Sequence, residues 1–101
     1  MITRGTTPTI TYTFDLVDVS NITTAYLTIT QGERVIIEKT LNDAEIGENS
    51  LVWTLTQDET LQLEEDASVK IQCRYKTGDG MAYATKKTTT KVYGVEKEGV
   101  I

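Results

Sequence analysis

Apolar and polar positions alternate along most of this chain. Ile10, Tyr12, Phe14 and Leu16 are separated by Thr9, Thr11, Thr13 and Asp15, and this period of two predicts a strand with one apolar face. Asp18, Ser20 and Asn21 then predict a turn. Residues 24–30, TAYLTIT, read as a second strand with Ala25, Leu27 and Ile29 on one face. Residues 34–40, RVIIEKT, return the chain after Gln31-Gly32-Glu33. Two registers compete for this hairpin. A two-residue loop at Gln31-Gly32 sets Ile29 opposite Arg34 and Leu27 opposite Ile36. A three-residue loop sets Ile29 opposite Val35 and Leu27 opposite Ile37. Apolar side chains must face apolar ones, so the three-residue loop is expected, with Tyr26 and Ile36 pointing outward.

Residues 42–50, NDAEIGENS, read as a polar connection. Leu51, Trp53 and Leu55 alternate with Val52, Thr54 and Thr56 as a fourth strand, and the single tryptophan is expected in the core. Thr56-Gln57-Asp58-Glu59 then fits a capping box, in which the Thr56 hydroxyl and the Glu59 carboxylate each accept a backbone N–H of the other residue. Asp58 and Glu59 also suit the positive end of a helix. The polar run Glu64-Glu65-Asp66 follows at once, so the helix near residues 57–62 has one or two turns. It is expected to carry the chain between two sheets, with Leu61 and Leu63 closing the end of the core.

Residues 67–76, ASVKIQCRYK, alternate most clearly: Val69, Ile71, Cys73 and Tyr75 inward, Ser68, Lys70, Gln72, Arg74 and Lys76 outward. Thr77-Gly78-Asp79-Gly80 signals a hairpin. Residues 81–85 pair back, Lys86-Lys87 mark a bulge or a loop, and residues 88–93 give a last strand. Residues 1–8, broken by Gly5 and Pro8, are expected to form a flexible arm, and residues 94–101 a partly mobile tail. About seven strands with one short helical crossover predict an all-β, immunoglobulin-like sandwich, one domain over residues 9–93.

A chain of 101 residues suits one core. Its 19 threonines favour strands, because β-branched side chains fit a half-buried pleated surface. The net charge of −5 repels phosphate backbones and anionic membranes, so neither nucleic acid nor membrane is an expected partner. No apolar run approaches membrane-spanning length, and Met1–Thr6 leads into no apolar signal segment, so synthesis without export is expected. Cys73 stands alone, which agrees with a reducing compartment.

Candidate chemistry is sparse. The chain has no histidine, which removes Ser-His-Asp and Cys-His nucleophiles and most transition-metal sites. The inward phase of Cys73 makes it an inert core residue. Asp43, Glu45 and Glu48 in one loop, and Glu64, Glu65 and Asp66 in another, sit on solvated connections without the contrasting environments that an acid–base pair needs. Asp43-Ala44-Glu45-Ile46-Gly47 also lacks the ligand spacing of a calcium loop. Gly78-Asp79-Gly80 lies between two strands, as a hairpin rather than a nucleotide cradle. No catalytic, cofactor-binding or metal-ligating residue is assigned, no cofactor is implied, and no enzyme is expected. Lys86, Lys87 and Lys91, with Tyr83 and Tyr93 nearby, read as edge-strand lysines that blunt stray pairing. Tyr26, Ile36 and Val52 are expected outside, where a contiguous apolar patch would mark a partner surface.

The segment order is TPTITYTFDL, DVSNITTAYLTITQG, ERVIIEKT, LVWTLTQDETLQL and VKIQCRYKTGDGMAYATKKTTTKV. This series resembles small virion structural proteins of phages and prophages of Gram-positive gut bacteria. It is also similar to the N-terminal β-sandwich domain of phage upper baseplate proteins. The likeness covers most of the chain and lies in the strand order, the SNIT…AYLTITQG hairpin and the LTQDETL crossover. It implies a non-enzymatic structural or assembly protein, tail or baseplate associated, made in the bacterial cytoplasm and carried in the virion once assembled. Its partners would be other virion proteins or copies of itself. The alternative is a carbohydrate- or cell-surface-binding sandwich using Tyr12, Tyr26, Tyr83 and Tyr93, against which the inward phase of Tyr12 counts.

Overall fold

Nine strand segments and one short helix follow the alternating pattern. The computed structural model describes residues 1–101. The segments are Ile2–Thr3 (β1), Thr9–Thr13 (β2), Ile22–Gln31 (β3), Arg34–Thr40 (β4), Glu45–Ile46 (β5), Ser50–Thr54 (β6), Ser68–Thr77 (β7), Ala82–Ala84 (β8) and Thr88–Tyr93 (β9). The helix Gln57–Leu61 (α1) lies between β6 and β7. One sheet has the order β1-β9-β7-β3-β4, with β8 also on β7, and the other has the order β2-β6-β5. An immunoglobulin-like sandwich places its C, F and G strands in one sheet, with C′ beside C, and B, E and D in the other. Strands β3, β7, β9 and β4, and β2, β6 and β5, take those places. The chain is all-β with this architecture.

β8 and β9 lie along the same edge of β7. β8 pairs with Arg74–Lys76 and β9 with Ser68–Ile71. Residues 85–87 span the gap with one residue more than the ladder needs, so Lys86-Lys87 sit in a bulge. Thr85 fills this gap. Its N–H donates to the Cys73 carbonyl at 2.9 Å, and its hydroxyl accepts from the Cys73 N–H at 3.0 Å.

The inward faces meet as their phases require. Leu27 and Ile29 of β3, Ile37 of β4, Val69, Ile71 and Cys73 of β7 and Val92 of β9 are buried against Leu51 and Trp53 of β6, with Leu55 and Leu63 beyond them. The Trp53 indole N–H donates to the Thr40 carbonyl at 2.9 Å, which satisfies its one polar group. Tyr12 meets Trp53 edge-on, with ring centroids 6.2 Å apart. Lys39 lies opposite Leu27 and so points inward. Its stem covers apolar surface and its ammonium emerges at the rim, only 12% exposed, on the Glu59 carboxylate at 2.9 Å and the Thr54 carbonyl at 3.1 Å.

The capping box forms at the start of α1. The Thr56 hydroxyl accepts from the Glu59 N–H at 3.1 Å, and the Glu59 carboxylate accepts from the Thr56 N–H at 2.8 Å. The helix carries the chain from the small sheet to the large one. Leu63 is buried beneath it, whereas Leu61 is only half-buried. Thr60 is also buried, and its hydroxyl donates to the Thr6 carbonyl at 2.9 Å. The Gln31 amide grips the loop after α1 from both sides, donating to the Glu64 carbonyl at 2.8 Å and accepting from the Glu64 N–H at 2.7 Å.

Four expectations are corrected. The β3–β4 turn is Gly32-Glu33, with Gln31 opposite Arg34 and Thr30 opposite Val35. Gly32 adopts φ +66°, a left-handed conformation that costs glycine little. The register then slips by one, so Ile29 faces Ile37 and Leu27 faces Lys39. Ile36 is the extra residue of this bulge and packs half-buried against the core, while Val35 points outward. Second, Leu16 is 99% exposed, because β2 ends at Thr13 and the alternation stops with Phe14. Third, the polar connection contains β5, which pairs Glu45 with Val52 and Ile46 with Leu51. Fourth, residues 1–8 are no free arm. β1 pairs in parallel with β9, Ile2 opposite Val92, and Ile2 is buried. The Arg4 guanidinium holds Glu98 of the tail at 2.7 Å and the Leu61 carbonyl at 3.0 Å.

Two outcomes are expected. Ile2→Ala should destabilise the fold by about 2–3 kcal/mol, the lower part of the range for truncating a buried isoleucine, as read by urea unfolding. An unchanged midpoint would mean that β1 is not docked in solution. The second concerns Glu59. Burial raises its pKa, but hydrogen bonds from the Thr56 N–H and Lys39, together with the Lys39 charge, outweigh burial and hold the carboxyl below its ordinary value of 4.5. A depressed carboxylate stabilises the fold above its unfolded-state pKa and loses that contribution as pH falls through its folded-state pKa. The stability gap between the native chain and Glu59→Gln should therefore be full at neutral pH and shrink below pH 4.5.

Candidate interaction surface

The outward positions of the large sheet come from three strands whose other faces are buried. Tyr26, Thr28 and Thr30 of β3 lie beside Arg74, Gln72 and Lys70 of β7 and, on the other side, beside Thr40, Glu38 and Val35 of β4. Lys87 and Lys91 extend the row across the bulge and β9, Lys87 closing a shallow hollow with Thr28, Thr30, Lys70 and Gln72. Lys76 lies opposite Thr24. The face thus holds Lys70, Arg74, Lys76, Lys87 and Lys91 against one carboxylate, Glu38. The whole chain has 10 basic and 15 acidic residues, so this face concentrates half of the cations. Its charges are free of each other's counter-ions, because the chain's ion pairs are Arg4–Glu98 and Lys39–Glu59. Tyr26 and Val35 add exposed apolar surface.

A second feature lies at the end of the sandwich away from α1. The segment before β3 and the β7–β8 hairpin enclose a cleft of about 400 Å³ lined by Leu16, Asp18, Asn21, Asp79 and Tyr83. Both carboxylates are engaged locally. Asp18 accepts from the Ser20 hydroxyl and N–H at 2.7 and 3.0 Å. Asp79 accepts from the Thr77 hydroxyl and from the Met81 N–H at 3.1 Å. These bonds hold both carboxyls below the usual range. Tyr83 stacks on Tyr75 at 5.2 Å, and Tyr75 meets Phe14 edge-on at 5.0 Å.

The residues singled out from the sequence are distributed differently from that reading. Tyr26, Ile36 and Val52 do not share a patch: Tyr26 is exposed on the large sheet, Ile36 packs on the core, and Val52 is half-buried on the small sheet. The four tyrosines likewise separate. Tyr12 packs on Trp53, Tyr83 lines the end cleft, and Tyr93 lies beneath the Lys91 ammonium at 5.5 Å. Lys91 is not on an edge strand, since β9 has β7 on one side and β1 on the other. The acidic loops form no group of three or more ligands able to hold a metal ion. No helix is long and apolar enough to cross a membrane. The basic face escaped the sequence reading, although Lys70, Arg74 and Lys76 were already outward there. What was missing was the bulge that brings Lys87 and Lys91 alongside them.

Compared with family models, curated proteins and solved structures, the chain matches none.

Cys73 is fully buried, and burial pushes its thiol up to about 11. Only the thiolate attacks a disulfide reagent. The native chain should therefore leave dithionitrobenzoate unreacted over hours at pH 8 and release one equivalent of chromophore on unfolding in guanidinium. Rapid native reaction would place Cys73 within reach of solvent.

Proposed function

We propose that this chain is a non-enzymatic structural or assembly protein of a phage or prophage particle, tail or baseplate associated, working through protein–protein contacts. The observation that carries the reading is the outer face of the large sheet, which gathers five cations that have no ion-pair partner within the chain. Tyr26 and Arg74 on this face are of residue types enriched in interface cores, and its unpaired charges would steer a partner of complementary charge to it. The resemblance in strand order to phage baseplate sandwiches supports the same reading. The partners are other virion proteins or further copies of the chain, with neither nucleic acid nor membrane involved, and the protein passes from bacterial cytoplasm to virion.

One observation favours a second reading, a carbohydrate- or cell-surface-binding module. The end cleft combines Asp18, Asn21 and Asp79 with the exposed ring of Tyr83, the mixture of polar groups and aromatic surface that small-ligand sites use.

Mass spectrometry of particles purified after prophage induction tests the first reading. Peptides of this chain at a fixed ratio to the other virion proteins are expected. Their absence from abundant intact particles, together with a positive glycan array, would transfer the function to the end cleft.

A further inference from the structure

β8 leaves one side of its backbone unpaired. Along this stretch Met81 gives its carbonyl to the Thr77 N–H at 3.0 Å, and Thr85 gives its N–H to the Cys73 carbonyl at 2.9 Å. The odd positions therefore bond to β7. Ala82 and Ala84, between them, turn their N–H and C=O groups the other way. β7 is the sole neighbour of β8, so these four groups have no partner strand. Residues 81–84 are all exposed, and the stretch Met81-Ala82-Tyr83-Ala84 carries no charge and no proline.

The other edges are closed to such pairing. β4 has a bulge and the inward-pointing Lys39, two devices that blunt an edge. β1 and β5 have two residues each. β2 lies over the large sheet, with the Phe14 ring just beyond it against Tyr75 of β7 and the Tyr12 hydroxyl reaching Thr85. The large sheet runs on beneath it through β9 and β1, so a second sandwich cannot lie flush against β2.

We propose that β8 pairs antiparallel with β8 of a second copy, about a two-fold axis at Tyr83, so that the two large sheets become one. The contact names a partner for the assembly role above, and its place in a particle rests on that role. Three features carry it. Ala82 of each copy faces Ala84 of the other, which gives all four unpaired N–H groups an acceptor. Tyr83 meets its own copy on the inner face as a cross-strand aromatic pair. The row Phe14–Tyr75–Tyr83, with centroids 5.0 and 5.2 Å apart, then continues into the second copy. Finally, antiparallel pairing brings the hairpin tip with Asp79 of one copy alongside Lys86-Lys87 of the other. None of these three has an ion-pair partner within its own chain. A foreign strand would satisfy the backbone groups alone, whereas a second copy satisfies backbone, ring and charges together. The contact is isologous and closes at two copies. Its seam is short, so the dimer is weak.

Sedimentation velocity and amide exchange of the full chain provide the test. The weight-average sedimentation coefficient should rise with concentration towards a dimer and no further. Over the same range the Ala82 and Ala84 amides should exchange more slowly, while the Tyr83 amide, already bonded to β7, should not change. Ala84→Pro deletes a donor that faces away from β7, a position where an edge strand accepts proline. It removes two of the four bonds, so association should fall about tenfold or more. Tyr83→Cys needs no intact contact energy, because oxidation traps it. Its two introduced thiols sit on the axis, on Cα atoms about 4.5 Å apart, and should cross-link. In Ala82→Cys the equivalent atoms lie roughly 8 Å apart, outside disulfide reach, and should not.

A wild-type chain that stays monomeric at millimolar concentration would overturn the proposal. So would a dimer in which Ala82 and Ala84 exchange as fast as in the monomer, or equal cross-linking of the two cysteine variants. A monomer that still enters particles at a fixed ratio would overturn the self-contact alone and leave the assembly role standing.

Discussion

No strand of one sheet pairs with a strand of the other, so apart from the chain's own crossings the sheets are held together by side chains. Trp53 stands at the centre of this task. It is the largest fully buried side chain, it stands on the middle strand of the small sheet, and its indole N–H ends on a carbonyl of β4 in the large one. A tryptophan placed there must be fully desolvated and still give its N–H a partner, which fixes the spacing of the layers at that edge. Lys39 then closes the same edge from the opposite direction. It points in where an apolar residue is expected, and its ammonium reaches the carboxylate that also caps α1. The crossover helix, the β4 edge and the core are therefore mechanically one unit, although they are distant in sequence.

The reading from sequence succeeded where a segment is long enough to state its own phase. β7 has one buried face and one solvated face over ten residues, so each position was legible. The capping box was legible because both of its bonds are local. Failures share one cause, which is that the deciding partner lies elsewhere in the chain. Val35-Ile36-Ile37 offers three consecutive apolar residues and no phase, and both registers considered assumed an unbroken ladder. The bulge at Ile36 instead lets Lys39 turn inward to Glu59. β1 shows only Ile2 as an apolar signal, and its burial depends on Val92. Leu16 continued an alternation that the backbone had already left.

The net charge of −5 describes the chain as a whole and hides its arrangement. A docking partner at the large sheet meets the local field, because charges beyond the screening length contribute little. There it meets Lys70, Arg74, Lys76, Lys87 and Lys91 on a framework of threonines. Apart from Glu38 on β4, the acidic residues occupy the connections, the small-sheet edge, the tail and the end that carries α1. Arguments from total charge and from local charge therefore point to different partners. At the large sheet the local field decides.

The parallel pairing of β1 with β9 has a consequence under load. The two strands run in the same direction, with the amino terminus at the start of one and the carboxyl terminus beyond the end of the other. Tension applied to the two ends pulls these strands past each other along their axes. Their hydrogen bonds are then strained together instead of opening one after another. Residues 94–101 and the Arg4–Glu98 pair would peel away first, and the pull would arrive at a short shear-loaded seam with Ile2 seated in the core behind it. The sandwich would thus yield at a threshold force, as a latch does, and would not unravel gradually from its termini.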